Sequence, residues 1–144
     1  MVNVETRQGK RAAFTVFGAS TRTNGILKFL IEYLNEGSVY SKTTGQFTSP
    51  FAGLYGFTAS FIESGSGNNY ISCRIRKNGY SSVYMRSRQG KIDGGYITGG
   101  EESATGAATF HLAKGDSVDV YCYSDTGTNL YLSSFSGFLI SPDP

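Results

Sequence analysis

The residues best suited to chemistry in this sequence are basic, and they are concentrated in one short stretch. Six of the 13 lysine and arginine residues fall between positions 74 and 91, where no acidic residue occurs: Arg74, Arg76, Lys77, Arg86, Arg88 and Lys91. The planar guanidinium group of arginine can donate two parallel hydrogen bonds to a carboxylate, sulfate or phosphate group. A cluster of this kind predicts a site for anionic ligands.

The arginines are spaced so that a single hairpin would bring them together. Residues 70–77 alternate between apolar and polar side chains, which is typical of a strand with one buried face. Asn78-Gly79 follows, and both residue types tolerate the positive φ of a type I′ turn. Residues 81–88 would then return as the paired strand. This arrangement predicts one surface that carries the guanidinium groups of both strands.

Tyrosine rings would lie on or beside the same surface, at Tyr80 and Tyr84. Flat aromatic faces suit sugars and other rings. The predicted ligand-binding residues are Arg74, Arg76, Arg86, Arg88, Lys91 and Tyr84. An alternative stays open, in which the basic residues form a solvated outer face that keeps the protein soluble and prevents edge-to-edge pairing of strands.

Catalysis is not predicted. The chain has a single histidine, His111, which lies between Phe110 and Leu112 and would point away from them in a strand. A general-base histidine needs a nucleophile and an orienting carboxylate, and no nucleophile motif is present. The glycine-rich residues 94–100 lack the Lys-Ser/Thr pair of a phosphate-binding loop, and no helix is expected after them. We therefore expect no enzymatic activity.

Metal ligands cannot be assigned from the sequence, and no cofactor is predicted. One histidine and two cysteines are too few for a zinc site. The acidic candidates for calcium are Asp93, Glu101, Glu102, Asp116, Asp119 and Asp125. They form no EF-hand pattern, and calcium typically takes six to eight oxygen ligands. Calcium therefore stays an open alternative.

Two interpretations of the cysteines are open. Cys73 and Cys122 both fall on the apolar side of a predicted strand. They could be buried thiols that act as small hydrophobic side chains. They could instead form a disulfide, which requires the two strands to be neighbours with the cysteines close together.

Length and composition restrict the chain to one compact, β-rich domain. It has 144 residues, with ten tyrosines, ten phenylalanines, 19 glycines and only three prolines. Such a chain can fill a core, which excludes disorder. We predict an N-terminal arm over residues 1–11 and a single domain over residues 12–144. The net charge of +2 gives no indication of a nucleic-acid partner, and no apolar run is long enough to span a membrane.

Alternation of apolar and polar residues predicts about eight strands in an antiparallel two-sheet sandwich. Residues 54–62 would form a long strand with four side chains on its apolar face: Tyr55, Phe57, Ala59 and Phe61. The glycine-rich residues 91–106 are expected to form a long loop. Residues 26–35 fit a helical stripe and a strand alternation equally well, so periodicity leaves both open.

Several separated blocks of sequence, in a fixed order, resemble a known family. They are residues 35–40 (NEGSVY), 44–50 (TGQFTSP), 53–58 (GLYGFT), 77–79 (KNG), 112–118 (LAKGDSV) and 133–143 (SSFSGFLISPD). Together they resemble the globular C1q domain over residues 12–143. The glycines in these blocks suit turns, and their aromatic residues suit a shared core.

The resemblance implies an all-β fold, a ten-stranded two-sheet antiparallel jelly roll related to that of tumour necrosis factor. It favours strands for residues 26–35 and makes neighbours of the strands that carry the cysteines, which keeps the disulfide open. It also implies an aromatic core, for which the candidates are Phe14, Tyr40, Phe47, Tyr55, Phe57, Phe135 and Phe138. Some relatives bind calcium near the trimer apex, but their ligand positions find no match in this sequence.

The resemblance further implies a compact homotrimer that is secreted and acts outside the cell. The expected function is non-enzymatic recognition of the innate-immune type, with lectin-like binding of microbial anionic glycans, lipopolysaccharide or sugars. The alternative is a trimeric signalling or adhesion ligand for a host cell-surface receptor. No collagen stalk is seen, so we expect either a head separated from its stalk or a member that consists of a head alone.

Overall fold

A computed structural model of the chain describes the backbone of residues 9–19, 24–66, 70–88, 91–92, 95–96, 98–124 and 129–144. Within those ranges, side chains are described except at residues 63–66, 70, 87–88, 91–92, 95–96, 98–102, 124 and 129–131. The predicted arm over residues 1–11 falls mainly outside the described residues. No helix in the described part is long and apolar enough to cross a membrane.

The described residues form thirteen strands. They are β1 (Ala13–Ala19), β2 (Gly25–Ile26), β3 (Phe29–Glu36), β4 (Tyr40–Ser41), β5 (Gln46–Thr48), β6 (Gly53–Ser66), β7 (Tyr70–Lys77), β8 (Tyr80–Arg88), β9 (Lys91–Ile92), β10 (Gly95–Tyr96), β11 (Thr98–Leu112), β12 (Ser117–Ser124) and β13 (Asn129–Pro142).

Two antiparallel sheets pack face to face and enclose the core. The first sheet has the order β11-β6-β13-β1-β3, and the second has the order β4-β5-β12-β7-β8, with β2 also paired to β12. The hairpin of β9 and β10 forms a separate pair. The prediction of an all-β, two-sheet antiparallel sandwich is confirmed. The two sheets contain eleven strands, of which β2 and β4 span only two residues each.

Two segments with ambiguous or weak sequence patterns are strands. Residues 26–35, which also fitted a helix, supply the second residue of β2 and most of β3, as the resemblance implied. The prediction of a loop over residues 91–106 is wrong, because β11 begins at Thr98 and pairs with β6. Its inward positions include Ala104 and Gly106, which are too small to give a clear apolar alternation. They are small because β8 packs closely there: a Cβ atom on Gly106 would lie 2.7 Å from the Met85 side chain.

The core is aromatic, as the resemblance implied, with one exception. The four predicted inward side chains of β6 are all buried. The Phe14 ring lies 4.9 Å from that of Phe135 and 5.5 Å from that of Phe47, so the two sheets are joined by ring contacts. Phe138, however, is 53% exposed and does not belong to the core. Gly137 takes the inward position instead, because a Cβ atom there would lie 2.5 Å from Phe57.

The hairpin between β7 and β8 is confirmed and is anchored to the turn before β12. Asn78 and Gly79 have φ values of 50° and 82°, as a type I′ turn requires. The Asn78 amide donates to Asp116 over 3.1 Å, and its oxygen accepts from the Ser117 amide over 2.9 Å. The hydrogen bond from the Ala113 amide to Asp116, followed by that from Asn78, lowers the pKa of the Asp116 carboxyl. These bonds position β7 beside β12.

The structure decides between the two interpretations of the cysteines. Cys73 on β7 lies directly opposite Cys122 on β12, and the two are joined by a disulfide that faces the core. The neighbouring strands that the resemblance implied are therefore also covalently linked.

Replacing both cysteines by alanine should lower the free energy of unfolding substantially. The disulfide closes a loop of 49 residues, and a cross-link of that span stabilises the fold by about 4 kcal/mol. We expect a loss of that order for Cys73→Ala/Cys122→Ala in urea denaturation. As a control, alkylation of the unfolded, unreduced protein should add no groups, and alkylation after reduction should add two. Two additions before reduction would contradict the disulfide.

Candidate ligand-binding surface

The outer face of the second sheet brings together most of the predicted ligand-binding residues. Strands β12, β7 and β8 lie side by side, and Arg74 on the middle strand is opposite Tyr121 on one side and Tyr84 on the other. Arg76 is displaced by two residues along β7, and Arg86 by two residues along β8. Their side chains therefore share one face of the sheet.

Three arginines and two tyrosines on this face form a continuous row of cation–π contacts. The guanidinium carbon of Arg76 lies 4.5 Å from the centre of the Tyr121 ring, and that of Arg74 lies 5.5 Å from the same ring. The guanidinium carbons of Arg74 and Arg86 lie 5.4 Å and 5.6 Å from the centre of the Tyr84 ring. These distances are within the range in which a ring attracts a cation. We call the five residues the arginine–tyrosine row.

One end of the row is neutralised by a carboxylate from another strand. Asp119 is only 1% exposed and accepts two hydrogen bonds from Arg76, at 2.7 Å and 3.0 Å. Gln46 donates a further hydrogen bond to Asp119 over 3.1 Å. Hydrogen bonding to Asp119 raises the pKa of the Arg76 guanidinium. Arg76 therefore remains charged, but its charge is already paired within the protein.

The other arginines of the row have no carboxylate partner among the described residues. No ion pair of Arg74 or Arg86 occurs there, although Arg86 is exposed. Arg74 is half-buried, and its Nε atom is buried without a hydrogen-bond acceptor. Within the row, the positive charge that no carboxylate of the described residues pairs with therefore belongs to Arg74 and Arg86.

The structure describes the other residues of the basic hairpin only in part. Tyr84 is 52% exposed, as predicted, and Tyr80, next to the hairpin turn, is 80% exposed. Lys77 donates to the His111 carbonyl over 3.1 Å. The side chains of Arg88 and Lys91 lie outside the described residues, although both residues belong to strands.

The other candidates for chemistry have structural partners or fall outside the described residues. His111 lies 2.8 Å from a carboxylate oxygen of Asp143 at the surface. Among the described residues, no three His, Cys, Asp or Glu side chains converge on a possible metal position. The acidic calcium candidates without described side chains are Asp93, Glu101, Glu102 and Asp125. Residues 94–100 are described only in part, where they contribute to β10 and β11.

The first sheet has a very different outer face. Large apolar side chains are exposed near both ends of it: Phe17, Ile31, Leu34, Leu54, Phe138 and Ile140. Hydroxyl pairs lie between them, where Thr58 and Ser136 are 2.8 Å apart and Ser60 and Ser134 are 2.9 Å apart. Phe138 was a predicted core residue, and this face was not predicted. An apolar residue on a strand does not by itself show which face of the sheet packs against the core.

Comparison with known proteins assigns the class of fold first. The globular domain of the zebrafish complement 1qA protein is 21% identical and superimposes with a TM-score of 0.73, over 92% of this chain and 99% of that one. A tumour necrosis factor, Eiger from S. frugiperda, is 12% identical with a TM-score of 0.64, over 93% of this chain and 95% of that one. The fold is therefore the jelly roll that these two proteins share.

The family follows from the sequence. The C1q domain matches residues 13–140, nearly the whole chain, so the chain belongs to the C1q domain family. Members of this family are typically non-enzymatic trimeric modules for recognition or signalling, and they are typically extracellular. The resemblance to the globular C1q domain that the sequence blocks indicate is confirmed.

Replacing Arg76, the positive partner of Asp119, should destabilise the fold, because it leaves a buried carboxylate without its counter-ion. We expect Arg76→Met to lower the free energy of unfolding by about 3 kcal/mol in urea denaturation. Arg86→Met, the same substitution on the same face, should change it by less than about 1 kcal/mol, since Arg86 is exposed and has no carboxylate partner among the described residues. Arg76→Met/Asp119→Leu should recover most of the loss. Equal effects for Arg76→Met and Arg86→Met would contradict the assignment.

Proposed function

We propose that this protein is an extracellular recognition module that binds microbial anionic glycans, including lipopolysaccharide, as a homotrimer. The observation that carries the proposal is the pair Arg74 and Arg86, which lie on an accessible sheet face with no carboxylate of the described residues to neutralise them. Guanidinium groups in this state bind sulfate, phosphate and carboxylate groups. Arg88 and Lys91, which neighbour Arg86 in the sequence, would extend the positive surface.

The trimer in this proposal is supported by the apolar outer face of the first sheet. Several large apolar side chains are exposed together on this face, and exposed apolar patches on a soluble protein often mark an interface with another protein. Self-association through this face would cover Leu54, Phe138 and Ile140 and leave the arginine–tyrosine row on the opposite sheet exposed. Three copies of a weak site would then act together on a repetitive microbial surface.

The extracellular location is supported by the disulfide. Disulfides persist in oxidising compartments and are rare in the cytosol. The Cys73–Cys122 disulfide is buried in the core, where it would stabilise a secreted domain.

The trimer can be tested by mass in solution. We expect three times the mass of one chain, and we expect Phe138→Arg to yield a folded monomer because it places a charge in the interface. Tyr80→Arg, at an exposed position beside the hairpin turn, is the matched control and should leave the trimer intact. Repeating the measurement with a chelator tests whether calcium takes part. A monomeric parent protein would refute the trimer.

Ligand binding can be tested with lipopolysaccharide and dextran sulfate. Arg74→Ser/Arg86→Ser should weaken binding of both by at least about tenfold at low salt, because it removes the unpaired charges of the row. The control is Lys42→Ser/Lys114→Ser, which removes the same charge from exposed positions elsewhere. Equal binding by the two variants would eliminate this surface as the site. Binding to host membranes with none to either glycan would favour the role of a host receptor ligand.

A further inference from the structure

The tyrosines of the arginine–tyrosine row are already occupied within the protein. Two guanidinium groups lie over the Tyr84 ring, and two lie over the Tyr121 ring, with Arg74 common to both. A sugar that stacks on a tyrosine needs a free ring face. These contacts therefore leave the rings poorly suited to stack against a ligand, although Tyr84 is 52% exposed.

The same contacts restrict the arginines. An exposed arginine normally moves among many rotamers, and fixing it on binding costs free energy. Arg74 is instead held by two rings, and burial of its Nε atom leaves only the outer part of the guanidinium group to meet a ligand. Arg86 is restrained by the ring of Tyr84, which lies two residues before it on the same strand. The tyrosine rings thus restrain the arginines, of which Arg86 is exposed and Arg74 is half-buried.

The spacing of the two arginines favours a ligand with more than one charge. Both guanidinium carbons lie within 5.6 Å of one ring centre, so they are no more than about 11 Å apart. Neighbouring anionic groups along a polymer can fall within that span. A single neutral sugar would offer these two guanidinium groups no negative charge to pair with.

We infer that the row recognises sulfate or phosphate ester groups carried by a polyanion, without contact to a sugar ring, and that Tyr84 and Tyr121 are positioning residues. The inference rests on the proposed function and narrows it, because the ligand class becomes repeated oxyanions on any backbone. Tyr84, which the sequence suggested as a ligand-binding ring, is reassigned as a support for Arg74 and Arg86. Tyr121 joins the site, although no sequence pattern indicates a role for it.

The experiment compares polymers that share a charged group and differ in backbone. Dextran sulfate, polyvinyl sulfate and unmodified dextran are titrated against the whole protein at several salt concentrations. We expect dissociation constants for the two sulfated polymers, per sulfate group, to agree within about threefold, and dextran not to bind. Polyphosphate serves as the phosphate probe and should compete with both sulfated polymers.

Variants of Tyr84 separate a positioning role from ligand contact. Tyr84→Ser should weaken binding of dextran sulfate and polyvinyl sulfate by the same factor, of about five or more, because Arg86 loses its ring and Arg74 keeps only that of Tyr121. Tyr84→Phe keeps the ring and should bind both polymers like the parent protein. Thermal melting of each variant confirms that the exposed position tolerates the change.

The outcomes distinguish this inference from the proposed function. Binding of dextran sulfate without binding of polyvinyl sulfate would overturn the inference and keep the proposed function, since a sugar backbone would then be required. The inference would also fall if Tyr84→Ser weakened only the dextran sulfate complex, because that pattern indicates sugar stacking. Failure of the parent protein to bind either sulfated polymer would overturn both.

Discussion

The register between β7 and β12 is the constraint on which the candidate site depends. In this register Cys73 faces Cys122 on the inner side of the second sheet, and Arg76 faces Asp119 on the outer side. A shift by one residue would send every side chain of a strand to the opposite face. It would break the disulfide, bury the arginines and expose Ile75. The disulfide and the buried ion pair therefore stabilise the same alignment from opposite sides.

The two outer faces of the sandwich differ in chemistry, one being largely apolar and the other basic. The first sheet presents apolar side chains separated by hydroxyl pairs, which suits association with further copies of the chain. The second sheet presents arginines held by tyrosine rings, which suits contact with anions. The inner faces of both sheets pack on the same aromatic core around Phe14, Phe57 and Phe135. The single core thus places the apolar surface and the arginine–tyrosine row on opposite sides of the domain.

Much of the site could be predicted locally, and the parts that could not involve strands distant in sequence. The hairpin at Asn78-Gly79 and the shared face of Arg74 and Arg86 follow from strand periodicity over fewer than twenty residues. Asp119 and Tyr121 lie on β12, more than forty residues after Arg74, and no local pattern indicates that they pair with β7. Arg76 consequently looked like a free positive charge in the sequence, whereas the fold brings it a buried carboxylate.

The sequence by itself determined the family, the two-sheet β architecture and the concentration of positive charge in one hairpin, because these depend on motifs, alternation and residue type. Only the tertiary structure decided which charges are free, that the cysteines are bonded, and that Phe138 lies outside the core. Each of these depends on which strand lies beside or beneath another. Pairing across the sheet and packing between sheets join residues far apart in the chain, so local sequence carries little information about them.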